Sequence, residues 1–123
     1  MTRQAATPAL VISHVKVSDD YAATVLKSAI GHMAYWAEIV DVRRDERGKI
    51  SHVTITDLEH DGGRVRRTVT RGAVKRAIGL IVREGSSIGA GGEIRRQVLE
   101  ESPDGPRCDA VFQVALFAEV RYS

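Results

Sequence analysis

The stretch SDDYAATVLKSAIGHMAYWAEIVDV, residues 18–42, decides the fold because it joins an amphipathic helix to an apolar strand. Its apolar residues recur at helical spacing at Ala22, Leu26, Ala29, Ile30 and Met33. Ser18 is a suitable N-cap, and Gly31 lies where the backbone must leave the helix. Tyr35 and Trp36 are expected to begin the strand. We therefore expect the rest of the chain to pack onto this helix and strand.

Length and composition indicate one ordinary globular domain. The chain has 123 residues, of which 43% are apolar and 28% are charged. We expect a flexible arm over residues 1–8 and a single α+β domain over residues 9–123. The single cysteine, Cys108, excludes an intrachain disulfide and fits a reducing cytoplasm. No apolar run approaches the roughly 18 residues of a membrane span, and no secretory signal is visible, so a cytoplasmic location is expected.

The order of the predicted elements favours a small antiparallel sheet with helices packed on one face. Strands are predicted at residues 34–42, 50–58 and 64–70 as a three-stranded meander, and a possible N-terminal strand at residues 9–17. Two further helices are predicted, one capped by Thr70 and ending at Gly85, and one over residues 106–118. A short polar helix is expected between them, at residues 93–101. The strand order stays open.

Tyr35 and Trp36 suggest a contact surface. Adjacent residues of a strand point to opposite faces, so one ring should face the helices and the other should lie on the open face of the sheet. An exposed ring there could anchor a protein partner or a second copy of the chain. The alternative is that both rings belong to the core.

A set of basic residues suggests a second possibility, a surface that binds nucleic acid. The set is Arg64, Arg66, Arg67, Arg71, Lys75 and Arg76. Such residues can neutralise phosphates and give salt-dependent binding. Against this interpretation, no aromatic residues interleave with the cations to stack bases, and the formal net charge is only +2. The alternative is a solvated face paired with Asp57, Glu59 and Asp61.

A third possibility is a pocket for a small molecule or nucleotide around His32, Tyr35, Asp109 and Gln113. Asp109 and Gln113 are four residues apart and so share one face of the last helix. If that face turns inward, both are buried polar groups that need partners. The pocket requires the first and last helices to be neighbours, which the sequence does not establish.

No motif indicates catalysis, a metal or a cofactor. The four histidines, His14, His32, His52 and His60, have no second histidine or cysteine at the usual ligand spacing. The glycine-rich residues 85–92 follow a predicted helix, whereas nucleotide-binding loops follow a strand, so we expect a mobile connection there. Cys108 has no histidine near it in sequence. We therefore expect a protein that is not an enzyme.

Three segments resemble a group of small uncharacterised proteins of bacteriophages and prophages. They are VLKSAIGHMAYWAEI at residues 25–39, VKRAIGLIV at residues 74–82 and DAVFQVALFAEVRYS at residues 109–123. Proteins of that group carry Glu-Gly-Gly-Ile-Gly-Tyr-Trp, and an Asp-rich helix followed by Leu-Phe-Gly-Glu-Val. In this chain only Gly31 of the glycines before Tyr35 is retained, and Ala118 replaces the glycine before Glu119.

The resemblance implies a setting rather than an activity. It implies an accessory protein of a phage or mobile element that acts in the host bacterial cytoplasm. We expect such a protein to bind a host or phage protein, and inhibition of a host defence or regulatory component is the natural hypothesis. The identity of a partner and the oligomeric state are not determined by the sequence.

Overall fold

A three-stranded antiparallel sheet packed against helices forms the α+β fold that the sequence predicts. The computed structural model describes residues 17–60, 62–101 and 105–122. Within these ranges the elements are α1 (Asp19–Ile30), β1 (Ala37–Arg44), β2 (Ile50–Asp57), β3 (Val65–Thr70), α2 (Arg71–Glu84), a 3-10 turn (Gly85–Ile88), α3 (Gly92–Leu99) and α4 (Gly105–Phe117). The arm expected at residues 1–8 lies outside the described residues. So does the strand expected at residues 9–17, apart from Val17.

Helix α1 begins and ends where its sequence predicts. The Ser18 hydroxyl accepts a hydrogen bond from the backbone N–H of Tyr21 at 3.0 Å, which satisfies one of the free donors of the first turn. Gly31 follows its last residue as the C-cap. The inner face of the helix is fully buried through Ala22, Val25, Leu26 and Ala29.

The predicted start of the first strand is wrong by three residues. The backbone N–H groups of Trp36 and Ala37 both donate to the carbonyl of Met33, at 3.0 and 2.9 Å. These bonds hold residues 34–36 in turns, and β1 therefore begins at Ala37. Tyr35 consequently lies in the loop between α1 and β1, and it does not share a strand with Trp36.

The sheet has the order β1, β2, β3, with Ile39 paired to Ile55 and Val53 paired to Val69. Alternation along β2 and β3 sends one set of residues toward the helices, namely Val53, Ile55 and Asp57 together with Val65, Arg67 and Val69. The opposite face is polar, and the hydroxyls of Thr54 and Thr68 lie 2.9 Å apart on it.

Helices α2 and α4 complete the core. Thr70 caps α2 by accepting from the N–H of Ala73 at 3.1 Å. The apolar residues that α2 buries are Val74, Ala77, Ile78, Ile81 and Val82. Helix α4 contacts α1, α2 and α3, and every residue from Cys108 to Val114 is buried. Because α4 is covered on several sides, two of its polar residues, Asp109 and Gln113, are enclosed within the fold.

Candidate functional site

Helices α1 and α4 are neighbours, so the four residues of the predicted pocket come together. His32, Tyr35, Asp109 and Gln113 line one cavity of about 450 Å³. The remaining lining residues are mostly apolar: Gly89, Ile94, Pro106, Ala110, Val120 and Tyr122. We call this cavity the cleft. Its walls come from the α1–β1 loop, the segment before α3, helices α3 and α4, and the C-terminal tail.

Asp109 is the buried polar centre of the cleft, with 4% of its surface exposed. Its Oδ1 accepts from the indole Nε1–H of Trp36 at 2.8 Å, and its Oδ2 accepts from the Tyr35 hydroxyl at 2.5 Å. The Gln113 amide nitrogen is a further donor, at 3.3 Å from Oδ2. All three donors are neutral. Across the described parts of the chain, no lysine or arginine forms an ion pair with this carboxylate.

Tyr35 closes this hydrogen-bonded group at the mouth of the cleft, where half of its surface is exposed. Burial of its hydroxyl raises the pKa of Tyr35 to about 12, and the hydrogen bond to Asp109 adds to the rise. The hydroxyl therefore keeps its proton at neutral pH and donates a hydrogen bond to Asp109. The phenolic oxygen accepts from the Nε2 of Gln113 at 3.2 Å, and its second lone pair stays available as an acceptor.

Gln113 fixes the tail that forms one wall of the cleft. Its Oε1 accepts from the backbone N–H groups of Arg121 and Tyr122 at 2.8 and 2.7 Å, and its Nε2 donates to the carbonyl of Tyr122 at 3.0 Å. A single buried amide thus replaces the backbone partners that an irregular tail would otherwise lack.

His32 lies at the end of α1 and bonds the helix carbonyl of Ser28, with 3.0 Å between Nδ1 and the oxygen. A carbonyl oxygen can only accept, so Nδ1 carries a proton, and this bond selects the tautomer in which Nε2 accepts whenever the ring is neutral. The first residue of α4, Gly105, lies against this ring, and a Cβ at Gly105 would overlap it. Glycine at this position therefore allows the histidine to line the cleft.

A second buried carboxylate, Asp57, lies at the end of β2 with none of its surface exposed. It accepts from the backbone N–H of Glu59 at 3.0 Å and from the Tyr122 hydroxyl, which is 3.2 Å from both of its oxygens. The Arg67 Nε lies 3.5 Å away as an ion-pair partner. The same guanidinium covers the Phe117 ring at 5.1 Å.

Sequence reasoning treated Asp57 as a surface partner of the basic residues and missed its burial. A signal was present, because Asp57 continues the alternation of Val53 and Ile55 on the inner face of β2. The signal was weak because a strand end can equally leave the sheet for solvent.

The six residues of the predicted basic set differ in whether they form ion pairs. Three of its members are in ion pairs: Arg67 with Asp57, Arg71 with Asp45 at 2.8 Å, and Lys75 with Asp19 at 2.5 Å. The Arg71 guanidinium lowers the pKa of Asp45 to about 2. The other three, Arg64, Arg66 and Arg76, are exposed and have no ion-pair partner among the described residues. Arg66 and Arg67 also lie on opposite faces of β3, so the six cations do not form one unpaired surface.

Tyr35 and Trp36 differ in burial. Trp36 is fully buried and packs on Phe112, Phe117 and Tyr122, with ring centroids 6.2, 5.9 and 5.2 Å away. Tyr35 is the exposed member, but it lies beside the cleft and not on the open face of the sheet. The expectation that one ring would stand on that face is therefore wrong, because neither residue belongs to β1.

Comparison with known proteins finds no relative of this chain. No family model, curated protein or solved structure matches it. Within residues 17–60, 62–101 and 105–122, no cluster of three or more His, Cys, Asp or Glu residues is arranged to hold a metal ion. Over the same ranges no helix has the length and apolarity needed to cross a membrane. The class of protein defined by the fold and the cleft is an α+β domain with a ligand-sized cavity.

Proposed function

We propose that the protein acts by binding, and that a small organic molecule occupies the cleft. The observation that carries this proposal is the convergence of His32, Tyr35, Asp109 and Gln113, from two distant parts of the chain, on one cavity. Its volume of about 450 Å³ is within the range of roughly 300–1,000 Å³ typical of ligand sites. Mostly apolar walls with a few fixed polar groups are also typical of such sites.

The polar groups of the cleft are held before any ligand arrives. Asp109 orients the Tyr35 hydroxyl, Gln113 holds the tail, and the Ser28 carbonyl orients the His32 ring. Groups that are already fixed lose little conformational freedom on binding, which favours affinity.

A fragment screen by ¹H–¹⁵N NMR tests this proposal. Fragments that bind should shift the amide signals of Gly89, Ala110 and Val120, which line the cleft. Ile94→Phe should fill the cleft and weaken binding about tenfold or more. The matched control is Leu99→Phe, which adds the same ring at an exposed position of the same helix.

Two results would contradict the proposal. One is a complete screen in which no fragment shifts the cleft signals. The other is binding that Ile94→Phe and Leu99→Phe weaken equally, since the bound site would then lie elsewhere.

A second candidate is binding of a host or phage protein, which the half-exposed ring of Tyr35 favours. In the setting that the phage resemblance implies, such a partner would be a host defence or regulatory component. Affinity purification from a bacterial lysate, with nuclease and high salt, tests this candidate. Tyr35→Ala should release the partner and Leu99→Ala should not.

The nucleic-acid alternative is tested by the same purification. It predicts recovery that disappears with nuclease or salt and falls when Arg64 and Arg66 are neutralised together. Recovery that survives nuclease and salt would count against it.

A further inference from the structure

Asp109 differs from Asp57, the other buried carboxylate among the described residues, in the groups that balance its charge. Burying a carboxylate is costly unless an opposite charge or several hydrogen bonds compensate. Asp57 has Arg67 beside it, whereas the described neighbours that donate to Asp109 are Trp36, Tyr35 and Gln113, all neutral. Among the residues that the structure describes, the groups that donate to the Asp109 carboxylate are therefore uncharged.

The donors that line the cleft are already used within it, because Tyr35 donates to Asp109 and the Gln113 amide donates to Asp109 and to the Tyr122 carbonyl. The Tyr35 hydroxyl donates a hydrogen bond to Asp109 and accepts one from the Nε2 of Gln113, so its oxygen keeps one lone pair for the cleft. The backbone carbonyl of Tyr122 and the Nε2 of His32 are acceptors as well. An ammonium group carries three donors and no acceptor, so it matches these partners.

We propose that the ligand of the cleft is an organic ammonium ion that carries a compact apolar group. This inference rests on the proposed function, because it names the class of ligand for the same site. The ammonium group would bind beside Tyr35 and supply the positive charge that Asp109 lacks. The apolar group would pack on Ile94, Pro106, Ala110 and Val120.

Three probes of nearly equal shape test the charge preference on the wild-type chain. They are 2-phenylethylammonium, the neutral 2-phenylethanol and the anionic 3-phenylpropanoate. The indole N–H of Trp36, the only tryptophan, reports on Asp109 because it donates to that carboxylate. We expect the ammonium ion to bind at least about tenfold more tightly than the alcohol, and the carboxylate to bind weakest.

Asp109→Asn is the matched variant, since it keeps the size of the side chain and removes its charge. It should reduce the preference for the ammonium ion to about twofold or less while the alcohol still binds. If this variant does not fold, the ratio measured on the wild-type chain decides by itself. A lysine tripeptide with blocked ends shows whether the cation can come from a protein side chain; tighter binding than the free amine would assign that source.

The outcomes separate this inference from the proposed function. Equal binding of the ammonium ion and the alcohol at the cleft would overturn the inference and leave the proposed function standing. Retention of the full preference in a folded Asp109→Asn variant would overturn it too. Binding of no probe, together with a fragment screen that finds nothing, would remove both.

Discussion

Asp57 and Asp109 are both enclosed in the fold, but their charges are balanced in different ways. Asp57 lies between β2 and the tail, where Arg67 and the Tyr122 hydroxyl hold it. Asp109 lies in α4 at an open cleft, where only neutral described groups donate to it. Asp57 joins the sheet to the tail through a charged partner, whereas we propose that Asp109, balanced by neutral donors beside a cavity, receives a ligand.

Tyr122 connects the two regions. Its hydroxyl donates to Asp57, its backbone bonds Gln113 beside Asp109, and its ring packs on Trp36. The tail therefore contacts both the end of the sheet and the wall of the cleft. A change at either carboxylate should still affect mainly its own side, because the donors of the two groups are different side chains.

The largest effect is expected from Asp57→Asn. It leaves the guanidinium of Arg67, 25% exposed, without its counter-charge and should lower the free energy of unfolding by about 3 kcal/mol. Urea denaturation measures the loss. Adding Arg67→Met should restore about 1 kcal/mol or more, because the stranded charge is then removed. A double variant that is less stable than Asp57→Asn alone would show that the ion pair is not what matters at this site.

A smaller loss is expected from Asp109→Asn. The amide keeps one oxygen, which can still accept from Trp36, but its NH2 group replaces the oxygen that accepts from Tyr35 and Gln113. The Tyr35 hydroxyl must then turn to accept, and the change should cost about 1.5 kcal/mol. No buried cation is left behind, so the loss should be smaller than at Asp57. Urea denaturation under the same conditions makes the comparison, and a loss as large as that of Asp57→Asn would contradict it.

Gln113→Leu should loosen the tail with a modest loss of about 1 kcal/mol. The backbone N–H groups of Arg121 and Tyr122 lose their acceptor, so their amide hydrogens should exchange faster with solvent. Hydrogen exchange followed by NMR measures this, with the helical amide of Ala77 as an internal control. Unchanged exchange at both tail amides would show that the glutamine does not hold the tail.

The smallest effect concerns alkaline pH. The fold raises the pKa values of Tyr21 and Tyr35 to about 12, and that of Tyr122 in the same direction, mainly through burial. The folded state therefore holds these protons more tightly than the unfolded chain, whose tyrosines titrate near 10.0. This part of the stability is complete below pH 10 and is lost as the pH rises from about 10 to 12.

Absorbance of tyrosinate tests that expectation. Native protein should show little tyrosinate at pH 10, whereas protein unfolded in urea should titrate there. Asp109→Asn should bring the Tyr35 pKa part of the way back, since burial remains and the carboxylate charge does not. Full titration of the native protein near pH 10 would contradict the described burial of the hydroxyls.

Local signals predicted most of the fold. Ser18 and Thr70 carry side chains that cap helices, and the apolar stripes of α1 and α2 have the helical period, so both helices follow from short segments of sequence. The strand start at Ala37 did not follow from the sequence pattern. The N–H groups of Trp36 and Ala37 both donate to the Met33 carbonyl and hold the preceding residues in turns, although their side chains are typical of a strand. The turn depends on tertiary packing, because it accompanies the burial of Trp36 against the rings of Phe112, Phe117 and Tyr122.

The candidate site was predictable in its members but not in its geometry. Asp109 and Gln113 share a helix face, and that spacing is readable. Their contact with Tyr35 joins residues more than 70 positions apart, and it depends on which helices are neighbours. The burial of Asp57 was missed for the same reason: its partner Tyr122 comes from the tail, 65 residues away.

One titration with two reporters tests the central comparison most directly. 2-Phenylethylammonium is added to the wild-type chain while NMR follows the Trp36 indole N–H, which reports on Asp109, and the Arg67 Nε–H, which reports on Asp57. We predict that the Trp36 signal shifts in a saturable way and that the Arg67 signal stays in place. A shift at Arg67 without one at Trp36, or no shift at either when the ligand is in excess, would contradict the account.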